Sequence, residues 1–299
     1  MDFIGNKKAV NLLQRALENG TSNHAYLFSG PENVGKFTLA KMFALNLIQG
    51  IELNHETEKW SKDALLDLIV VAPEIVEKKG ISKQRDISIE SVREANQKLS
   101  LFPYHGKYKV LIIDDAHKMN VSAQNGLLKT LEEPNQTTII ILVTHEIDLI
   151  LPTILSRSQV INFGLVSDAD MQEGFSGDFN FSSDCITLSI GRPGLAKFLN
   201  ENIDEKNFRF DALREFSALQ KGSLNEKFKL AEDLSKNIVK TLEKLNIWMW
   251  EIRKIADSSD QQGRLSAYES IEKIQRVMAS LKRTNANGRL ILETLFMDL

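Results

Sequence analysis

Residues 25–40 read AYLFSGPENVGKFTLA. A short apolar run at 25–28 leads into Gly30-Pro31-Glu32-Asn33-Val34-Gly35-Lys36, which matches G-x-x-x-x-G-K, and a helical pattern follows over 37–48. Between a strand and a helix, that pattern is a phosphate-binding loop. Gly30 and Gly35 let the backbone curl so that its N–H groups converge on phosphate oxygens. The following helix adds its positive end, and Lys36 supplies a full charge to the outer phosphates. The next position departs from the pattern. A metal-using loop carries Ser or Thr directly after the lysine, because that hydroxyl holds Mg²⁺; this chain has Phe37. Thr38 lies one residue on, about 100° further around a helix, so its hydroxyl is not expected at the same point. The expectation is a degenerate ATP/Mg site in which Gly30, Pro31, Glu32, Asn33, Val34, Gly35, Lys36, Phe37 and Thr38 meet the nucleotide.

Outward from the loop, apolar runs recur at 68–71, 110–113, 139–143 and 160–163, with helical patterns at 89–99 and 122–133 between them. Several runs are continuous in Val, Ile and Leu, as in strands buried on both faces. Strand–helix alternation predicts a parallel α/β sheet. The run at 110–113 ends in Asp114-Asp115, the second half of a phosphate-loop site. Asp114 would hold Mg²⁺ through water, and Asp115 would orient an attacking water. His117 reads as a polar contact of this loop, since no Cys or His partner lies at ligand spacing.

The character changes after Phe163. Residues 164–184 are polar and rich in Gly and Ser, the composition of a linker or small lid. From about Phe208 the pattern is helical to the end. Leu234, Ile238, Leu242, Leu245, Trp248, Ile252 and Ile255 form one apolar stripe, on one long helix or two in line. Trp248 fits that stripe as a core residue. The single cysteine, Cys185, excludes a disulfide framework and any cysteine-rich zinc module. The start MDFIGNKKAV lacks the apolar run of a secretory leader, and no stretch is apolar enough to span a membrane, so the expected location is the cytoplasm. A net charge of -3 gives no support to a broadly basic, nucleic-acid-coating surface.

The segments GKYKVLIIDDAHKMN, SAQNGLLKTLEEPNQTTIIILVTH and LPTILSRSQVINF, together with IGNKKAVNLLQRAL near the start, resemble the bacterial clamp-loader ATPase-fold subunits of DNA polymerase III. The resemblance covers most of residues 1–200, and TNANGRLILETLFMDL resembles the family's collar. Within the family the match is most similar to the delta-prime type. The resemblance implies a P-loop (AAA+) domain with a parallel sheet over 1–163, a small helical lid over 164–206, and an all-α collar over 207–299. It implies a hetero-pentameric complex with tau/gamma and delta subunits that opens the sliding clamp and places it on primed DNA, contacted through its backbone. Ser156-Arg157-Ser158 resembles the family's S-R-C motif, whose arginine reaches a neighbour's ATP site; a rigid guanidinium suits that role. Thr144 matches the sensor 1 position, whose hydroxyl bonds the outer phosphate or the attacking water. In Gly191-Arg192-Pro193-Gly194, active members place an arginine where this chain has Gly194; Arg192 is offset by two residues and reads as a solvated residue at a helix start. The family's four-cysteine zinc module is absent from 49–66, so no zinc site is expected. Missing Phe37 hydroxyl, missing arginine at 194 and retained Arg157 together imply weak or no ATPase of its own, with a finger lent in trans. Lys36, Asp114 and Asp115 leave open the alternative of a tau/gamma-type motor that hydrolyses ATP itself. Gly126, inside the pattern at 122–133, costs about 1 kcal/mol relative to Ala, which close packing there would explain.

Overall fold

The computed structural model describes residues 3–20, 23–51, 63–78, 81–178, 180–257, 259–283 and 287–299. The chain opens with α1 (Lys7–Glu18), β1 (Ala25–Ser29) and α2 (Lys36–Gln49). All of β1 is buried, and α2 buries residues on nearly every side, as a helix packed within an apolar surround must. Then come β2 (Leu68–Val71), β3 (Ile75–Lys78), β4 (Ile81–Gln84), α3 (Ile89–Leu99), β5 (Lys109–Ile113), α4 (Val121–Glu132), β6 (Thr138–Thr144), α5 (Pro152–Leu155), β7 (Gln159–Asn162) and α6 (Asp168–Phe175). Side-chain caps start three of these helices: Ser88 accepts from the Ser91 N–H before α3, Asn120 from the Ala123 N–H before α4, and Ser167 from the Asp170 N–H before α6.

Five strands form a parallel sheet in the order β2-β5-β6-β1-β7. Alternate residues feed two cores. Tyr26, Phe28, Val110, Ile112, Ile139 and Ile141 face one; Leu27, Leu111, Ile113, Ile140 and Leu142 face the other. That is why these strands read as unbroken apolar runs rather than alternating ones. β3 and β4 pair antiparallel as a separate two-stranded ribbon. The sequence reading missed it, because EIVEKKGISKQ contains no continuous apolar run.

The rest is helical: α7 (Ser183–Ser189), α8 (Pro193–Glu201), α9 (Ile203–Lys221), α10 (Leu224–Ser235), α11 (Ile238–Asp257), α12 (Gln261–Arg283) and α13 (Gly288–Asp298). This is a P-loop α/β domain with a parallel sheet, together with a helical C-terminal region. By packing, the chain divides into two compact units, Met1–Asn180 with Gly191–Leu195, and Phe181–Ile190 with Ala196–Leu299. The polar segment after Phe163 contains α6 and the start of α7. Phe208 lies within α9, which begins at Ile203, and two further helices, α7 and α8, precede it. The apolar stripe is divided between α10 and α11, with Leu234 on the first and Leu245, Trp248 and Ile252 on the second. Trp248 is fully buried against Phe216 and Phe296, and its Nε1–H donates to the Ala212 carbonyl at 2.8 Å. Arg192 corrects an expectation: it is buried, at 5% exposure, not solvated. Residues 52–62, within the stretch where the family's cysteine module would fall, lie outside the described residues. Among the described residues, no helix is long and apolar enough to cross a membrane.

Candidate functional site

The parallel register fixes which side chains can meet. Ser29 pairs with Thr144 and Ile113 with Leu142, so β1, β5 and β6 end along one edge of the sheet. Just beyond that edge follow Gly30, Asp114 and His145. The carboxyl ends of parallel strands are where α/β proteins hold ligands. A cavity of about 390 Å³ opens there, lined by Glu32, Asn33, residues 35–38, Asp114, Asp115, Val143, His145 and Gly194.

The loop has the backbone its glycines allow. Gly30 has φ 144°, and a Cβ there would stand 2.3 Å from the Phe163 carbonyl oxygen; only glycine permits that approach. Val34 is fully buried and anchors the loop in the core. Asn33 is left-handed at φ 61°, and its carbonyl accepts from the Gly194 N–H at 2.8 Å. Lys36 is buried to 7% exposure, and its ammonium donates to the Gly30 carbonyl at 2.7 Å and the Pro31 carbonyl at 2.5 Å. Burial pushes its pKa down to about 8, against the pull of Glu32, Asp114 and Asp115. A desolvated cation whose hydrogen-bond partners among the described residues are carbonyls is suited to exchange them for phosphate oxygens.

Asp114 continues the β5–β2 ladder, its N–H donating to the Val71 carbonyl at 2.8 Å. Its carboxylate accepts from the Asp115 N–H at 3.1 Å. Burial, then the neighbouring Asp115 charge, raises its pKa. Asp115 is left-handed (φ 48°, ψ 48°), which turns the chain sharply out of the strand. The adjacent His145 holds its carboxyl below the usual range.

His145 was not singled out from the sequence. Its Nδ1 lies 3.5 Å from Asp115 Oδ1, and its Nε2 lies 3.0 Å from Glu32 Oε1 and 3.4 Å from Glu146 Oε1. Flanked by Asp115 and Glu32, it is raised to about 9, and it draws the Glu32 carboxyl down. The available signal was its place directly after Thr144 at the end of a buried strand. Thr144 is fully buried; its Oγ1 accepts from the Glu146 N–H at 3.1 Å and lies 3.3 Å from His117 Nδ1. His117 is therefore a polar contact of the loop, but it also has a histidine partner, with ring centroids 4.0 Å apart in an edge-on arrangement.

The structure thus brings residues 30–38, Asp114, Asp115 and Thr144 to one edge. Arg157 stands apart from the cavity. It follows α5, where one guanidinium nitrogen donates to the Thr153 carbonyl at 3.0 Å and the other pairs with Glu132 at 2.8 Å. The residues fit phosphate oxygens, through the loop and Lys36. They do not fit Mg²⁺ in the usual way: Phe37 packs half-buried against the core where the hydroxyl belongs, and Thr38 is exposed one position on.

The family model described as "DNA polymerase III, delta subunit" matches residues 5–167, more than half of the chain. The chain is 30% identical over 262 residues to the DNA polymerase III subunit tau of Bacillus subtilis, covering 82% of this chain and 45% of that protein. It is 32% identical over 173 residues to the subunit gamma/tau of Mycobacterium tuberculosis, covering 57% and 29%. It spans less than half the length of these relatives. A solved structure of a DNA polymerase III gamma subunit-related protein from Thermotoga maritima is similar over 97% of each chain, at 17% identity and a TM-score of 0.44. With the family model spanning a phosphate loop, its acidic strand end and the strands between them, this chain belongs to the clamp-loader subunit family of DNA polymerase III.

Proposed function

We propose that this protein is a delta-prime-type clamp-loader subunit that lends an arginine finger to a neighbour and hydrolyses little ATP itself. The observation that carries the reading is Phe37. Its ring, half-buried against the core, stands where a motor subunit needs a metal-holding hydroxyl. Gly194 supports it, since its N–H is bonded to the Asn33 carbonyl and it offers no cation to the loop. Arg157 is the residue to be lent. Its bond to Glu132 is a partly exposed pair, worth about 0–1 kcal/mol, so a stronger anionic partner would draw it away. In a neighbour's site its guanidinium would neutralise charge on the transferred phosphate.

On this reading the partners are tau/gamma and delta subunits in a hetero-pentamer, the sliding clamp, and primed DNA held through its phosphates. The DNA contact would weaken as salt rises. The lid over 164–206 and the collar over 207–299 belong to the same proposal. Asp115 and Thr144 would then be vestiges of a hydrolytic site, Thr144 serving to tie down the loop after β6.

The test is ATP hydrolysis with Mg²⁺ by the chain alone, then by the complex reconstituted with motor subunits, clamp and primed DNA. Negligible turnover alone, with complex turnover falling in the Arg157→Ala form, is the expected result. A second reading, a tau/gamma-type motor, is favoured by the assembly of Lys36, Asp114 and Asp115 around one cavity. Robust turnover by the chain alone, abolished by Lys36→Ala, would establish that reading instead.

A further inference from the structure

Beside the phosphate cavity, Asp115, His117 and His145 each offer one ligand atom, all within 4.8 Å of one another. His117 is 6% exposed, and its Nε2 has no hydrogen-bond partner among the described residues. A buried imidazole nitrogen left unpaired is costly, and native structures rarely tolerate one without a reason. In the tautomer whose Nδ1–H donates to Thr144 Oγ1, 3.3 Å away, the lone pair of Nε2 is free. At His145, Nε2–H donates to the Glu32 carboxylate at 3.0 Å. That directs Nδ1 at Asp115, 3.5 Å away, which is long for a hydrogen bond. Two ligand atoms on a tetrahedral ion with bonds of about 2.0 Å stand about 3.3 Å apart. The carboxylate–imidazole pair of Glu32 and His145 is the outer support that metal-bound histidines commonly have.

We propose that Asp115, His117 and His145 bind one transition-metal dication of the Zn²⁺ type, with Glu32 as the residue positioning His145. Two imidazoles and one carboxylate select such an ion over Mg²⁺, which prefers oxygen ligands and its own waters. Three protein ligands leave a fourth position for water or an anionic oxygen. Asp115 and His145 line the phosphate cavity, so that position lies beside the place where outer phosphates would sit. The site contains no thiolate and is unrelated to a four-cysteine module.

The test is equilibrium dialysis of the chelator-treated full chain against Zn²⁺ in the presence of excess Mg²⁺, at mildly alkaline pH, where His117 is neutral and the ion has to displace the proton that His145 holds in the metal-free chain. The expected result is one tightly held ion per chain, lost in both His117→Gln and His145→Gln and kept in Cys185→Ser. Glu32→Gln should weaken binding by roughly 10-fold or more. Absence of binding, or binding that survives both histidine substitutions, overturns the proposal. If a variant does not fold, the Co²⁺ spectrum of the unaltered chain decides. Intense visible bands of a tetrahedral ion support the site, and the weak spectrum of an octahedral ion overturns it. None of these measurements involves nucleotide, DNA or another subunit, so the result stands apart from the clamp-loader assignment.

Discussion

His145 Nε2 lies 3.0 Å from Glu32 Oε1, joining the end of β6 to the phosphate loop across the cavity. Asp115 faces the other ring nitrogen, Glu146 lies within 3.4 Å, and the His117 ring packs edge-on. The carboxylates outweigh the repulsion and burial, and hold His145 up at about 9. Because the folded value lies above the ordinary 6.5, the stabilisation is complete below pH 6.5 and is lost as pH rises through 9. In the metal-free chain, the share of the urea-unfolding stability that His145 contributes should fall over that window by on the order of 1 kcal/mol, after allowance for solvent screening. His145→Gln should flatten the slope; an unchanged slope in that variant would assign it to another group.

Lys36 links binding and stability with opposite signs. Its ammonium is buried and, among the described residues, hydrogen-bonded to the Gly30 and Pro31 carbonyls. Lys36→Met should weaken binding of a fluorescent ATP analogue by roughly 10- to 100-fold, the worth of charged hydrogen bonds of about 1.5–3 kcal/mol. The same change should leave the melting temperature level or raise it, because it removes a desolvated charge that, among the described residues, makes no direct ion pair and feels Glu32, Asp114 and Asp115 less than its burial. A marked fall in melting temperature would mean that the lysine is a structural tie.

Asp67 is fully buried, and its carboxylate accepts from the backbone N–H groups of Tyr104, His105 and Gly106 at 2.6, 2.7 and 3.3 Å. Asp67→Asn keeps the volume but turns an NH₂ group toward backbone donors. It should cost about 2–3 kcal/mol in urea unfolding. Hydrogen exchange at 104–106 should rise well beyond the global change, and equal protection in both forms would contradict the role assigned to the carboxylate.

Gly126 lies within α4, and a Cβ there would meet Val92 and Ile89 at 3.7 and 3.8 Å, ordinary contact distances. The close packing that would explain this glycine is therefore not present. Gly126→Ala should stabilise the chain by about 0.5–1 kcal/mol, read as a higher melting temperature; destabilisation would reveal a backbone requirement at that position.

By itself the sequence determined the parallel sheet, because strands buried on both faces must be apolar at every position, and the runs ending at Phe28, Ile113 and Val143 are. It also determined the phosphate loop, since Gly30, Gly35 and Lys36 act through backbone shape and charge within one short segment. The sequence already showed the loss at Phe37, a neighbouring position in that segment. Only the tertiary structure decided what stands across the cavity. His117 and His145 are 28 residues apart in number and meet because β5 and β6 are adjacent in the sheet, and Glu32 reaches His145 because β1 lies beside β6. The division between α10 and α11 was hidden for the opposite reason. Two helices that bury the same kind of face keep the same three-to-four spacing across a turn, so periodicity alone passes over the break at Lys236 and Asn237.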